Sequence, residues 1–258
     1  MIRSLTSNVF DREGNVDGGV GTGSIIAIDR KSDEAYIVTN RHVVGAGELD
    51  ASAIRIYFTV PGQKDEEIRG ELFYVEPAGG PDLAFVKFKP SQVKQAKIEQ
   101  AYFPQTLRGM IEVYQTGVPV MAHGNPSRER NSITRGVISQ LPQPHFDGQL
   151  YFKTDAPINP GNSGGPLLRL GYDGRLDPYA DAPYLIGMNT VKRTDGESMG
   201  YAIPTFLWYP RFVWAVSGGP EKSKGYLYLD ARSVTTKILN QEGMRTVVEK
   251  GLAEHLNG

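Results

Sequence analysis

Thr154-Asp155-Ala156-Pro157-Ile158-Asn159-Pro160-Gly161-Asn162-Ser163-Gly164-Gly165-Pro166-Leu167 sets a single serine in a turn made largely of small residues. Gly161 lies two positions before Ser163, and Gly164 and Gly165 follow it directly. Side chains at those neighbours would keep a peptide carbonyl from approaching the hydroxyl. The turn can also aim the backbone N–H groups of Gly161 and Ser163, with Asn162 between them, at one point. Such a donor pair is what an oxyanion needs during acyl transfer. Glycine clusters alone mark ordinary turns, so the reading depends on a base and an acid elsewhere in the chain.

Both occur upstream. Val38-Thr39-Asn40-Arg41-His42-Val43-Val44 places His42 at the end of an apolar, β-type run. Pro81-Asp82-Leu83-Ala84-Phe85-Val86-Lys87-Phe88 opens another such run with Asp82. A serine hydroxyl is a weak nucleophile until a neighbouring base takes its proton. Imidazole, with an ordinary pKa of about 6.5, suits that step near neutral pH, and a carboxylate can hold the ring in the required tautomer. The catalytic set read from the sequence is His42, Asp82 and Ser163. Their order along the chain differs from that of α/β-hydrolases and subtilisin-like enzymes and matches the two-barrel, chymotrypsin-like arrangement.

These segments resemble the trypsin-like (chymotrypsin-fold) serine proteases, most closely their HtrA/Deg branch. Thr154 to Leu167 is similar to that family's nucleophile signature throughout, except that Pro157 stands where alanine is usual. Thr39-Asn40-Arg41-His42-Val43-Val44 resembles its histidine motif, Asp82-Leu83-Ala84 its aspartate motif, and Gly21-Thr22-Gly23-Ser24 its glycine-rich first strand. Leu185-Ile186-Gly187-Met188-Asn189-Thr190 and Gly200-Tyr201-Ala202-Ile203-Pro204 resemble its two late segments around the specificity pocket.

The resemblance implies a serine endopeptidase that works through an acyl-enzyme on protein or peptide substrates, with no cofactor. It implies an S1 pocket lined or edged by Ile158, Thr190, Val191 and Lys192. Pro157 replaces the charged residue that a trypsin-type pocket carries near its base, so a small or medium aliphatic P1 residue is expected. Family members usually carry PDZ domains after the protease. Residues 205–258 are too few for one, so none is expected in this chain. Two alternatives stay open: a peptide-binding or chaperone-like module whose triad is held apart at rest, and a narrow-specificity regulatory processing protease.

The chain has 258 residues, 28 basic and 29 acidic side chains, and a formal net charge of -1. That balance gives no electrostatic case for nucleic acid or for an anionic membrane. There are no cysteines, which excludes a disulfide framework and a thiolate metal site. His123, His145 and His255 are widely spaced and form no metal-ligand pattern. No apolar run approaches a membrane span or a signal-peptide core. A cytoplasmic chain is expected from the sequence as given, or a periplasmic one if an export signal has been removed.

Short apolar or alternating runs punctuated by Gly, Pro, Asn and Asp give an all-β reading of two antiparallel six-stranded β-barrels with a C-terminal helix. The expected first strands are Gly23–Ile28, Ala35–Thr39, Ala53–Phe58, Ile68–Val75 and Leu83–Phe88. The second set is Pro119–His123, Ser132–Gln140, Tyr151–Thr154, Pro166–Leu170, Pro183–Val191 and Met199–Ile203. The protease domain is placed at 1–205, with the first barrel at 18–90, a crossover at 89–117 and the second barrel at 118–205. A partly helical extension follows at 206–258. Its stretch 233–257 repeats apolar residues at near-helical spacing, either to pack on the second barrel or to dock a regulatory partner. The oligomeric state is left open. Gly18-Gly19-Val20-Gly21-Thr22-Gly23 is not a nucleotide loop, because a strand rather than a helix follows it. Asp155, eight residues before Ser163, is assigned a structural hydrogen-bonding role.

Overall fold

The computed structural model describes residues 6–10, 20–47, 54–59, 62–103, 114–125, 132–145, 148–171, 184–190 and 199–216. Twelve strands fall into two closed antiparallel barrels. The first joins β1 (Thr6–Phe10), β2 (Val20–Asp29), β3 (Glu34–Thr39), β6 (Ala84–Phe88), β5 (Glu66–Val75) and β4 (Ile54–Phe58), in that spatial order. The second joins β10 (Pro166–Arg169), β11 (Tyr184–Thr190), β12 (Gly200–Pro204), β9 (Leu150–Thr154), β8 (Ser132–Pro144) and β7 (Pro119–Gly124). The first barrel closes where β1 pairs with β4, Asn8 opposite Tyr57 and Val9 opposite Ile56. That closing strand precedes residue 18 and is absent from the sequence reading.

The side-chain period of two explains how runs that look uniformly apolar serve two cores. In β3, Ala35 and Ile37 point into the first barrel, whereas Tyr36 and Val38 join the larger core that extends into the second. In β6, Ala84, Val86 and Phe88 fill the first barrel while Phe85 faces the other way. β4 shows the simpler alternation: Ile54, Ile56 and Phe58 are buried, and Arg55 and Tyr57 lie nearer solvent. The crossover is hydrogen-bonded to both barrels, with Ala101 N–H on Ile25 O (2.7 Å) and Leu185 N–H on Tyr102 O (2.8 Å).

A helix, α1 (Thr205–Val216), follows β12 directly. Phe206, Leu207, Trp208 and Phe212 are buried. Phe212 packs edge-on against Tyr36 and Phe85, and Trp214 against Tyr74, so the helix reaches from the second barrel onto the first. The helical stretch expected at 233–257 lies outside the described residues. Among the described residues, no helix is long and apolar enough to cross a membrane.

Candidate active site

His42 stands in a 3-10 turn, Arg41–Gly47, that interrupts the chain directly after β3. Asp82 ends the loop before β6. The two meet in a two-point contact: His42 Nδ1 lies 2.5 Å from Asp82 Oδ2, and the His42 backbone N–H donates to Asp82 Oδ1 at 3.0 Å. An ionised carboxylate can only accept, so the imidazole proton sits on Nδ1 and the Nε2 lone pair is free. Asn40 Nδ2–H donates to Asp82 O at 2.8 Å and fixes the loop from the same side. Burial pushes the Asp82 carboxyl up, but the His42 ring hydrogen bond, the nearby imidazole charge and the His42 N–H outweigh it and hold the group below its ordinary value.

The serine turn belongs to the second barrel but is held by the first. Thr22, in β2, donates its N–H to Ser163 O and its hydroxyl to Gly161 O, both at 2.8 Å. Thr39 Oγ1–H donates to Thr22 O at 2.8 Å, and Asn125 Nδ2–H to Thr22 Oγ1 at 3.0 Å. Thr22 thus fixes the first and last carbonyls of the Gly161–Ser163 segment. In the sequence Thr22 stands only as one member of a glycine-rich strand. Its role is visible only once two segments 139 residues apart are brought together.

Gly164 has φ +81°, and a Cβ there would run into Thr22 O and Thr39 Oγ1 and stand 3.2 Å from Asn40 N. Only glycine lets the turn sit against the histidine segment. Gly164→Ala is expected to destabilise the fold by about 1–3 kcal/mol and to lower peptidase activity by freeing the serine turn. Urea titration and a turnover assay on the same preparation check both effects.

Gly161 also has positive φ, +102°. Asn162 N–H donates to Asn159 O at 2.9 Å, so that donor is committed inside the turn. Among the described residues, the N–H groups of Gly161 and Ser163 have no backbone acceptor. Asn162, whose own N–H is committed, lies between them. Ser163 is 3% exposed.

Of the expected pocket residues, Ile158 is partly buried and lies against Gly200, where a Cβ would collide with Ile158 Cγ1. Thr190 is buried, and its hydroxyl approaches Asp82 Oδ2 at 3.5 Å, which takes that side chain toward the aspartate. Val191 and Lys192 lie outside the described residues. Asp155 accepts from Val137 N–H at 2.6 Å and lies beside Gly136 on β8.

His123 lies within β7 and is buried; burial lowers its imidazole pKa to about 4. The unfolded chain binds that proton near 6.5. Between the two values the unfolded state holds more protons, so stability falls as pH drops through that window and levels off below it. One group with such a gap accounts for about 3 kcal/mol. Urea midpoints between pH 7 and 4 should show this slope, and His123→Gln should flatten it. The Asp82 contribution falls in a lower window: it is complete above the ordinary carboxylate value of 3.8 and is lost as pH falls through the depressed one.

Comparison with known proteins agrees with this geometry. A family model described as a trypsin-like peptidase domain matches residues 21–176. The putative serine protease HhoA of Synechocystis is 32% identical over 72% of this chain and 40% of its own length. A probable periplasmic serine endoprotease, DegP-like, of Chlamydia muridarum is 31% identical over 84% of this chain and 38% of its own length. The chain therefore spans about two fifths of the length of these curated relatives. The solved structure of the serine endoprotease from Yersinia pestis superposes with a TM-score of 0.58 at 25% identity, covering 84% of this chain and 64% of that one. The chain belongs to the trypsin-like peptidase family, and its relatives carry DegP-like and, in the Do-like serine protease HtrA of Bacillus subtilis, HtrA names.

Proposed function

We propose that the chain is a serine endopeptidase that cleaves peptide bonds through a covalent acyl-enzyme on Ser163. The observation that carries this reading is the His42–Asp82 pair, already in contact at 2.5 Å, with the serine turn fastened to the same barrel by Thr22. His42 Nε2 takes the Ser163 proton as Oγ attacks the scissile carbonyl. The N–H groups of Gly161 and Ser163 receive the negative charge that develops on the carbonyl oxygen. The imidazolium, steadied by Asp82, then protonates the leaving amine. A water molecule, deprotonated by the same ring, releases the acid and regenerates the hydroxyl. The assembled His42–Asp82 pair favours an enzyme; a peptide-binding module held apart at rest would differ from it at the approach of Ser163 to His42, which a fluorophosphonate label reports.

Ile158 beside Gly200, with uncharged Pro157 next to them, supports a small or medium aliphatic P1 residue. The periplasmic naming of the Chlamydia relative favours the exported reading of the compartment. We place the protease domain at 1–205, with a crossover at 89–117 between the barrels; the first barrel begins with β1 rather than at residue 18.

A fluorophosphonate probe should label the full chain at Ser163, and a peptide library should be cut after Val, Ala, Leu or Met. Failure to label would remove the enzymatic reading. Preferred cleavage after Lys or Arg would overturn the pocket assignment alone.

A further inference from the structure

The loop that carries Asp82 runs from Glu76, at the end of β5, and is gripped from several directions. Glu76 N–H donates to Leu83 O at 2.9 Å and closes its base. Arg41, the residue before His42, donates from Nη1 to Pro77 O at 2.7 Å and to Glu76 O at 3.2 Å. Gln149, from the second barrel, donates to Gly79 O at 2.7 Å. Under the loop lies an ion pair that joins it to α1: Arg211 Nε–H donates to Glu76 Oε2 at 2.9 Å, with side chains 7% and 1% exposed. Tyr74 donates its hydroxyl to the same Oε2 at 2.6 Å, and Arg211 Nη1 is held on Leu207 O at 2.6 Å.

Burying an ion pair is a poor way to gain stability, because desolvation consumes most of the attraction; apolar replacements of similar volume are often as stable. What such a pair supplies is a fixed distance and direction. Here the fixed object is close to the site. The Glu76 side chain fills the space under Gly80, where a Cβ would stand 2.5 Å from Glu76 Cγ and Oε1. Gly80 is two residues from Asp82. A Glu76 carboxylate that moves displaces Gly80 and, through it, Asp82. His42 is tied to the same loop by its neighbour Arg41, so an error in loop height appears at the His42–Asp82 contact.

We propose that Glu76 and Arg211 are positioning residues for Asp82. On this reading α1 holds the Glu76 carboxylate beneath Gly80 and thereby sets Asp82 Oδ2 against His42 Nδ1. The proposal rests on the catalytic reading of His42, Asp82 and Ser163. Neither residue touches substrate; both act through Asp82.

The test compares the full chain with Arg211→Met, Arg211→Lys, the double variant Glu76→Gln/Arg211→Met, and Asp82→Asn. Arg211→Met leaves Glu76 buried without this cation and should lower both the thermal midpoint and kcat. The double variant removes the stranded charge. It should recover the midpoint while kcat stays between about 10-fold and 100-fold low, the scale of a small misplacement, with KM within about twofold. The acidic limb of its kcat/KM profile should shift, because the contact to the imidazole has changed. Arg211→Lys keeps the charge and should return most of kcat. A double variant that folds with wild-type kcat and an unmoved acidic limb overturns the proposal while Asp82→Asn still confirms the catalytic reading. If the double variant does not fold, the contrast between Arg211→Lys and Arg211→Met carries the test: a methionine variant with low kcat and a shifted acidic limb, both restored by lysine, supports the proposal, whereas a folded methionine variant with wild-type kcat and limb, or a folded lysine variant with kcat as low as methionine, overturns it. Full activity in Asp82→Asn overturns the catalytic reading and the proposal with it.

Discussion

Ser163→Ala should lower kcat by a factor on the order of 10⁶. The substitution removes one oxygen, the atom that in the proposed mechanism bonds to the scissile carbon. What remains is the residual rate that binding and the N–H groups of Gly161 and Ser163 supply, roughly 10³ to 10⁴ above water. The loss cannot be charged to unfolding. Ser163 is only 3% exposed, but alanine fits the same backbone, and the Thr22 bonds go to the carbonyls of Gly161 and Ser163 rather than to the hydroxyl. The thermal midpoint should therefore change little. Turnover of a peptide substrate, with a fluorophosphonate label as the active-site count, measures the effect. Hydrolysis that persists undiminished in the alanine variant would assign the chemistry to another group.

Asp82→Asn should cost roughly 10⁴ in kcat, less than removal of the serine and for a different reason. The carboxylate accepts from His42 Nδ1 and so directs the lone pair of Nε2 outward. Asparagine presents an amide that can donate. A donated N–H at that position selects the opposite tautomer, with the proton on Nε2, and such a ring cannot take the serine proton. It also loses the negative charge that steadies the imidazolium after transfer. The amide is nearly isosteric with the carboxylate, and its oxygen can still receive the His42 N–H, so the turn itself should persist. Kinetics at neutral pH check the size of the loss, and the imidazole Nδ1 proton resonance of the wild type should vanish in the variant. A variant within tenfold of wild type would mean that Asp82 does not set the tautomer.

The parts of the fold legible in the sequence were those fixed by neighbours along the chain. Ile54-Arg55-Ile56-Tyr57-Phe58 alternates apolar and polar residues and forms β4 as read. Tyr184 to Thr190 and Gly200 to Pro204 likewise lie where strands were expected. His42 and Asp82 are legible as a pair because each adjoins an apolar strand, and the structure brings their side chains into contact; the Ser163 turn, ambiguous by its glycines alone, gains its place from the Thr22 bonds of the first barrel. The parts that were not legible depend on distant partners. Thr6-Ser7-Asn8-Val9-Phe10 has little alternation, and its strand exists through pairing with β2 and β4. The helix α1 contains Pro210 and several aromatic, β-favouring residues, which argue locally against a helix; burial of Phe206, Trp208 and Phe212 overrides them. The Glu76–Arg211 pair joins residues 135 positions apart, and no local pattern announces it.

Thr22 has a consequence for how such a protein can be regulated and exchanged. Because one β2 residue holds the backbone on both sides of Asn162, the two lobes cannot swing apart like jaws without unfastening the attacking group. A switch that leaves these bonds intact has to act through individual loops rather than hinge opening. By the same logic, a hybrid that took its second barrel from a cousin would work only if the first barrel kept the stapling threonine and its Thr39 anchor.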